Sequence, residues 1–272
     1  MTRTIIKGGT VVGGKGTASG DVVIEGEHIS ALLVDAQPEP GDTVIDASGL
    51  LVLPGVIDAH THIALDTGIY QTADNWLVGT RTAAAGGVTT VIDFATQFPG
   101  QTFRQAVENR QEEAQSALVD YALHCMITEF PIGMEPELQT LVDLGVPSFK
   151  IYTTYRPNYF MDDATLLRLF KQSTQVGGLV IVHAENDAMV TEATQHLVNT
   201  TRTAWRFHPL GRPPFAEQEA IHRVLFLAQE AHAPVYIVHC STARSVELVR
   251  ESAQAGNPAW CETCPQYLLF DE

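Results

Sequence analysis

Residues 55–63, GVIDAHTHI, set two imidazoles two positions apart behind a short apolar run. In extended backbone alternate side chains share a face, so His60 and His62 point the same way and form a metal-binding edge at a strand end. Two hydrogen-bonded histidines in a turn are the competing reading of an isolated His-x-His. Recurrence favours ligation. Lys150, His183 and His239 each close an apolar run, in SFK, LVIVH and YIVH. Four imidazoles gathered at one place suit zinc or a similar divalent ion. Lys150 is the odd member, because a protonated ammonium cannot ligate a metal. Either it pairs with a carboxylate, or neighbouring cations push its pKa down. In the second case the neutral amine can take up carbon dioxide as a carbamate, an anionic two-oxygen bridge.

The elements that must position these residues follow from the hydrophobic pattern. From residue 54 onward, apolar runs alternate with amphipathic stretches. The strand-like runs are 56–62, 88–94, 121–127, 148–153, 178–184, 234–240 and a weaker one near 259–264; 101–118 and 162–176 read as helices. Such alternation predicts a parallel sheet, whose doubly covered strands are near-continuous apolar runs. Gly87, Gly145 and Gly178 sit where helices should stop. No Gly-x-Gly-x-x-Gly follows the first strand, which disfavours a dinucleotide fold. A β/α barrel remains, and a barrel puts its site at the C-terminal ends of its strands, where the candidate ligands lie. Residues 1–53 read as short β-strands split by Gly-rich turns, with GGKG at 13–16 a hairpin turn rather than a phosphate loop.

Composition bounds the function. The chain has 272 residues, a formal net charge of −16 and 45% hydrophobic residues. The acidic balance argues against nucleic acid or an anionic membrane surface as partner. No apolar run is long enough to span a bilayer, and the first ten residues, MTRTIIKGGT, hold no signal-peptide core. Four cysteines, with one C-x-x-C at 261–264, lack the second pair that a structural zinc needs and fit a reducing cytoplasm.

The chain resembles the amidohydrolase superfamily and, within it, the dihydropyrimidinase/hydantoinase family. The matching stretches are GVIDAHTH (55–62), GTRTAAAGGVTTVIDF (79–94), DYALHCMI (120–127), SFKIYTTY (148–155), IVHAEN (181–186), VHCST (238–242) and ETCPQYL (262–268). The resemblance implies an incomplete TIM-like (β/α)8 metal-dependent hydrolase barrel at 54–272, with about seven of eight strands. Residues 1–53 would be half of a small β-sandwich. It implies two divalent ions, zinc first among them. His60 and His62 would hold the more buried ion, His183 and His239 the more exposed one, and carboxylated Lys150 would bridge the two. Tyr155 would donate to the substrate carbonyl as it becomes an oxyanion. The implied reaction is hydrolytic opening of a cyclic amide, a hydantoin or dihydropyrimidine, to an N-carbamoyl amino acid. The implied assembly is a homo-oligomer, a tetramer in the family.

Departures from the family pattern carry expectations of their own. Dihydroorotases have Arg two residues after His-x-His, where this chain has Ala64; allantoinase-like relatives usually lack a tyrosine at the Tyr155 position. Leu65-Asp66 stands where hydantoinases often have Met-Pro, which leaves ring-substituent preference and stereoselectivity open. The family's eighth strand brings an aspartate that is both ligand and general base, and Asp271 follows ETCPQYL too soon to be it. The expectation is the N-terminal part of a longer enzyme, not self-sufficient as it stands. The alternatives are a sister cyclic amidase or a non-catalytic assembly protein on the same fold.

Overall fold

The structure, a computed structural model, describes residues 3–67 and 70–270; Asp271 lies outside them. The chain forms two compact units, Met1–Ile57 with Gly87–Thr89 and Asp58–Gly86 with Thr90–Glu272.

The first unit is built on one mixed sheet. Its strands are β1 (Arg3–Gly13), β2 (Gly16–Glu25), β3 (His28–Leu33), β4 (Thr43–Asp46) and β5 (Leu51–Val52). The order is β3-β2-β1-β4, with β5 also on β1. Antiparallel β1 and β2 pair out to Gly13 and Gly16, so GGKG is a tight hairpin turn. Ile5, Val23 and Ala36 form its small core. Asp21 is buried, and its carboxylate accepts from the Gly8 and Ala36 amides at 2.7 Å each.

The second sheet has seven parallel strands. They are β6 (Val56–Thr61), β7 (Val88–Thr96), β8 (Asp120–Met126), β9 (Ser148–Tyr152), β10 (Leu179–His183), β11 (Val235–Ile237) and β12 (Ala259–Cys261). They lie in sequence order from β12 to β6 and curl as part of a barrel. The helices are α1 (Trp76–Ala85), α2 (Phe103–Glu113), α3 (Glu137–Asp143), α4 (Asp163–Val176), α5 (Asp187–Asn199), α6 (Pro214–Glu230), α7 (Ala243–Gln254) and α8 (Pro265–Leu269).

Side-chain alternation decides what each strand gives to the site. On β9, Phe149 and Ile151 point into the large apolar cluster, with Leu166, Leu169 and Phe170 of α4. Each such side chain contributes roughly 1.5–3 kcal/mol when fully buried. Lys150 lies between them in sequence and so faces the other way. The same parity on β10 sends Val180 and Val182 to the cluster and leaves His183 on the Lys150 face. α4 starts at an Asp162 cap that accepts from the Thr165 amide at 2.8 Å, and ends at left-handed Gly177. The stop signal is therefore Gly177. Gly178 serves close packing instead, since a Cβ there would stand 2.3 Å from the Phe149 ring.

Candidate metal centre and active site

His60 and His62 stand at the end of β6, as period-two alternation requires, with their Nε2 atoms 3.3 Å apart. Their rings flank Phe94 of β7, at 4.8 and 4.7 Å between centroids. The chain holds this strand end firmly. Asp93 on β7 accepts from the Ile63 amide at 2.8 Å and the Thr61 hydroxyl at 3.0 Å. Arg110 of α2 pairs with Asp93 at 2.5 Å and donates to the Ile63 carbonyl. The neighbours of His62 on both sides, Thr61 by its hydroxyl and Ile63 by its backbone, are thus tied to one buried ion pair. His124 adds a bond to the Ala59 carbonyl at 3.1 Å.

Across the sheet, His183 Nδ1 lies 3.0 Å from His239 Nε2. Parity alone would send His239 the wrong way, because Val235 and Ile237 both face the helices. The strand stops at Ile237, and His239 takes a left-handed φ of 38°. That turn, uncommon for a residue other than glycine, re-aims the imidazole toward His183. Glu217 of α6 holds the following segment: its carboxylate accepts from the Ser241 and Thr242 amides and the Ser241 and Ser245 hydroxyls.

Lys150 lies between the two pairs. Its Nζ is 5.6 Å from the Phe94 ring that His60 and His62 flank. It is 4.9 Å from the Tyr152 ring, which sits 5.2 Å from His183. The residue is 1% exposed, and no carboxylate among the described residues forms an ion pair with it. Burial pulls its pKa down to about 7, against a smaller upward pull from Glu262. Burial also lowers the imidazoles, helped by neighbouring positive groups: His62 falls to about 3, and His183 and His239 fall too.

Two carboxylates complete the histidine pairs, and the sequence reading named neither. Glu262, just after β12, puts Oε1 2.5 Å from His60 Nδ1. Glu185 puts Oε2 2.6 Å from His183 Nε2. Burial, the largest single influence, would raise both carboxyls, but the histidine hydrogen bonds together with neighbouring positive charge and further hydrogen bonds (Arg212 at Glu185, Tyr236 and Lys150 at Glu262) hold both below the usual carboxylate value. Ionised carboxylates only accept, so each proton sits on the histidine nitrogen facing them. The nitrogens left with free lone pairs are His60 Nε2 and His183 Nδ1, the ones that face His62 and His239. The only cue was ETCPQYL and IVHAEN themselves, where a Glu beside an apolar run has many explanations.

The donor set fits divalent ions. Two nitrogens on a tetrahedral ion with bonds of ~2.0–2.1 Å stand about 3.3 Å apart. The observed pairs, at 3.3 and 3.0 Å, match that edge. His62 Nδ1 is buried without a hydrogen-bond partner, so on the described atoms this ring has only its Nε2 face to engage. Among the described residues no three His, Cys, Asp or Glu side chains converge on one point. The arrangement is two pairs, with Lys150 as the group between them.

Tyr155 follows β9 with a left-handed φ of 73°. Its ring lies 5.1 Å from that of His183 and 5.0 Å from the Arg212 guanidinium, which pairs with Glu185. Burial raises its pKa, which keeps the phenol a donor at neutral pH. Tyr155, His183, His239 and Arg212 line a cavity of about 770 Å³, a size that admits a small-molecule ligand.

No family model matches the chain. A D-phenylhydantoinase of Escherichia coli O1:K1 / APEC is 40% identical over 99% of this chain and 59% of its own length. The dihydropyrimidinase of Brevibacillus agri NCHU1002 superposes with a TM-score of 0.96 at 36% identity, over 99% of this chain and 59% of that one. Over nearly its whole length the chain is similar to enzymes of the dihydropyrimidinase/hydantoinase family. Another solved relative, an L-hydantoinase (dihydropyrimidinase) from Arthrobacter aurescens, superposes at 0.87 with 28% identity, over 99% of this chain and 60% of that one. The chain spans 59% of the length of the curated hydantoinases it matches. No helix among its described residues is long and apolar enough to cross a membrane.

Proposed function

We propose that the protein opens cyclic amides of the hydantoin or dihydropyrimidine type by hydrolysis, giving N-carbamoyl amino acids, at a binuclear metal centre. The observation that carries this reading is the pair of imidazole edges on either side of a buried, unpaired Lys150. The 40% identity to a D-phenylhydantoinase supports the substrate class.

His60 and His62 would hold one ion through Nε2; His183 Nδ1 and His239 Nε2 would hold the other. Lys150 would join them as a carbamate. Its neutral Nζ adds to carbon dioxide, a new N–C bond forms, and the nitrogen gives up one proton. A pKa near 7 leaves much of the amine neutral at working pH. Zinc is the first choice, since imidazole nitrogen suits it. When bound, such ions acidify water and polarise a carbonyl. Tyr155 would donate to the substrate carbonyl oxygen as negative charge develops there. The buried Phe94 ring and the partly buried Tyr152 ring flank the amine of Lys150, a residue that is itself 1% exposed. The same reading carries a cytoplasmic homo-oligomer.

Extended to the full length of its relatives, of which this chain spans 59%, the zinc- and bicarbonate-loaded protein should convert phenylhydantoin or dihydrouracil to the N-carbamoyl amino acid. Failure of that longer protein to open either ring would overturn the assignment.

A further inference from the structure

We infer that Glu262 is a positioning residue that fixes which nitrogen His60 offers to an ion, and that it does so from the far edge of the sheet. The inference rests on the metal-centre reading above and deepens it.

Three observations support it. First, Glu262 is clamped at both oxygens: Oε1 faces His60 Nδ1 at 2.5 Å, and Oε2 accepts from the Tyr236 hydroxyl at 3.2 Å. Secondly, its backbone is tied on both sides of the residue. Its amide donates to the Ile237 carbonyl at 3.1 Å and its carbonyl accepts from the Cys240 amide at 2.8 Å. The carboxylate is therefore aimed by β11 and not by its own rotamer freedom. Thirdly, His60 stands on β6 and Glu262 just past β12, the first and last strands in the sheet order. Their contact joins the two ends of the sheet at the site.

The chemical consequence concerns the tautomer. A carboxylate at Nδ1 holds the proton there and leaves the Nε2 lone pair free, 3.3 Å from His62 Nε2. Rotating the His60 ring half a turn would lose the Glu262 bond and destroy the edge. Glu185 plays the mirror part at His183, taking Nε2 so that Nδ1 faces His239. Carboxylates in this relation orient ligating histidines and raise their basicity, and their loss typically weakens metal binding 10–100-fold.

The test is a cobalt titration of metal-free protein, followed by the visible d–d bands and by competition with a chelator, in wild type, Glu262→Ala, Glu262→Gln and Tyr236→Phe. Glu262→Ala should weaken one of two ions roughly 10–100-fold and change its band shape, with the second ion held as before. Glu262→Gln keeps an oxygen that accepts from Nδ1 and should recover most of the loss. Tyr236→Phe should weaken the same ion without lowering the melting temperature, and it decides the question if Glu262→Ala does not fold. Wild-type affinity and spectrum in Glu262→Ala, or in Tyr236→Phe where that variant decides, would overturn the inference. Equal losses in Glu262→Ala and Glu262→Gln would overturn it too. A wild-type protein that takes up no cobalt would instead defeat the metal-centre reading on which it stands.

Discussion

His183 Nδ1 and His239 Nε2 face each other at 3.0 Å, although His239 lies past the end of β11 at the parity opposite to that of His183. Only the left-handed turn at His239 makes the contact. The geometry of the second histidine pair is thus a property of the loop that leaves β11.

That dependence gives the first prediction. Glu217 grips the loop through two amides and two hydroxyls. Glu217→Ala should release it and weaken one of the two ions, while the His60/His62 side keeps its own. Equilibrium dialysis should then show about one tightly bound ion per chain, with circular dichroism unchanged.

Tyr155→Phe removes a single donor from the cavity. It should lower kcat by roughly 10²–10³, the usual loss for one oxyanion donor. Metal content should stay at the wild-type level. A rise in KM with kcat intact would reduce the hydroxyl to substrate binding.

Acid should destabilise the ion-free protein. Burial, first among the causes, holds His62, His183 and His239 below the imidazole value, His62 at about 3. Unfolded, all three titrate near 6.5. Between the folded and unfolded values the unfolded chain binds more protons, so stability rises with pH there. Their contribution is complete above about pH 6.5 and is lost as pH falls toward the folded values. Lys150 acts with the same sign higher up, from about 7 folded toward the ordinary lysine value of about 10.4. Thermal melts of chelator-treated protein should show Tm falling steadily from pH 8 to pH 4.5; a flat profile would contradict the burial of neutral imidazoles.

The Asp93–Arg110 pair should matter to both stability and the site. Asp93→Ala removes the buried partner of Arg110, leaves its guanidinium only Glu113 and the Ile63 carbonyl, and frees the Ile63 amide. The cost should be roughly 3–5 kcal/mol, as for other buried pairs broken on one side. Denaturant melts measure it, and the His60/His62 ion should bind more weakly in the same variant.

Much of this was legible in the residue order. Apolar runs separated by amphipathic stretches announce the parallel sheet, and SFK and LVIVH place Lys150 and His183 at strand ends; that the two share a face follows from the register of β9 with β10. His-x-His needs only period two. What the order of residues could not carry is long-range or conformational. The positive φ of His239 has no local signature, because non-glycine residues adopt it only under tertiary constraint. Glu262 meets His60 across 202 positions, and Arg110 reads as one more charge on a solvated helix until Asp93 is seen beneath it. Gly177 and Gly178 are adjacent glycines with different duties, one a left-handed cap and the other a space for Phe149, and only packing separates them.

In the proposed centre, two ions would share the site through Lys150. The most direct measurement is metal content by mass spectrometry on wild type and Lys150→Ala, each loaded with zinc and ¹³C-bicarbonate, alongside ring opening on the same samples. In protein extended to the length of its relatives, the expected result is two ions per chain, a ¹³C carbamate signal and turnover in wild type, with the signal, at least one ion and most activity gone in Lys150→Ala. Two tightly held ions and full turnover in Lys150→Ala would contradict it.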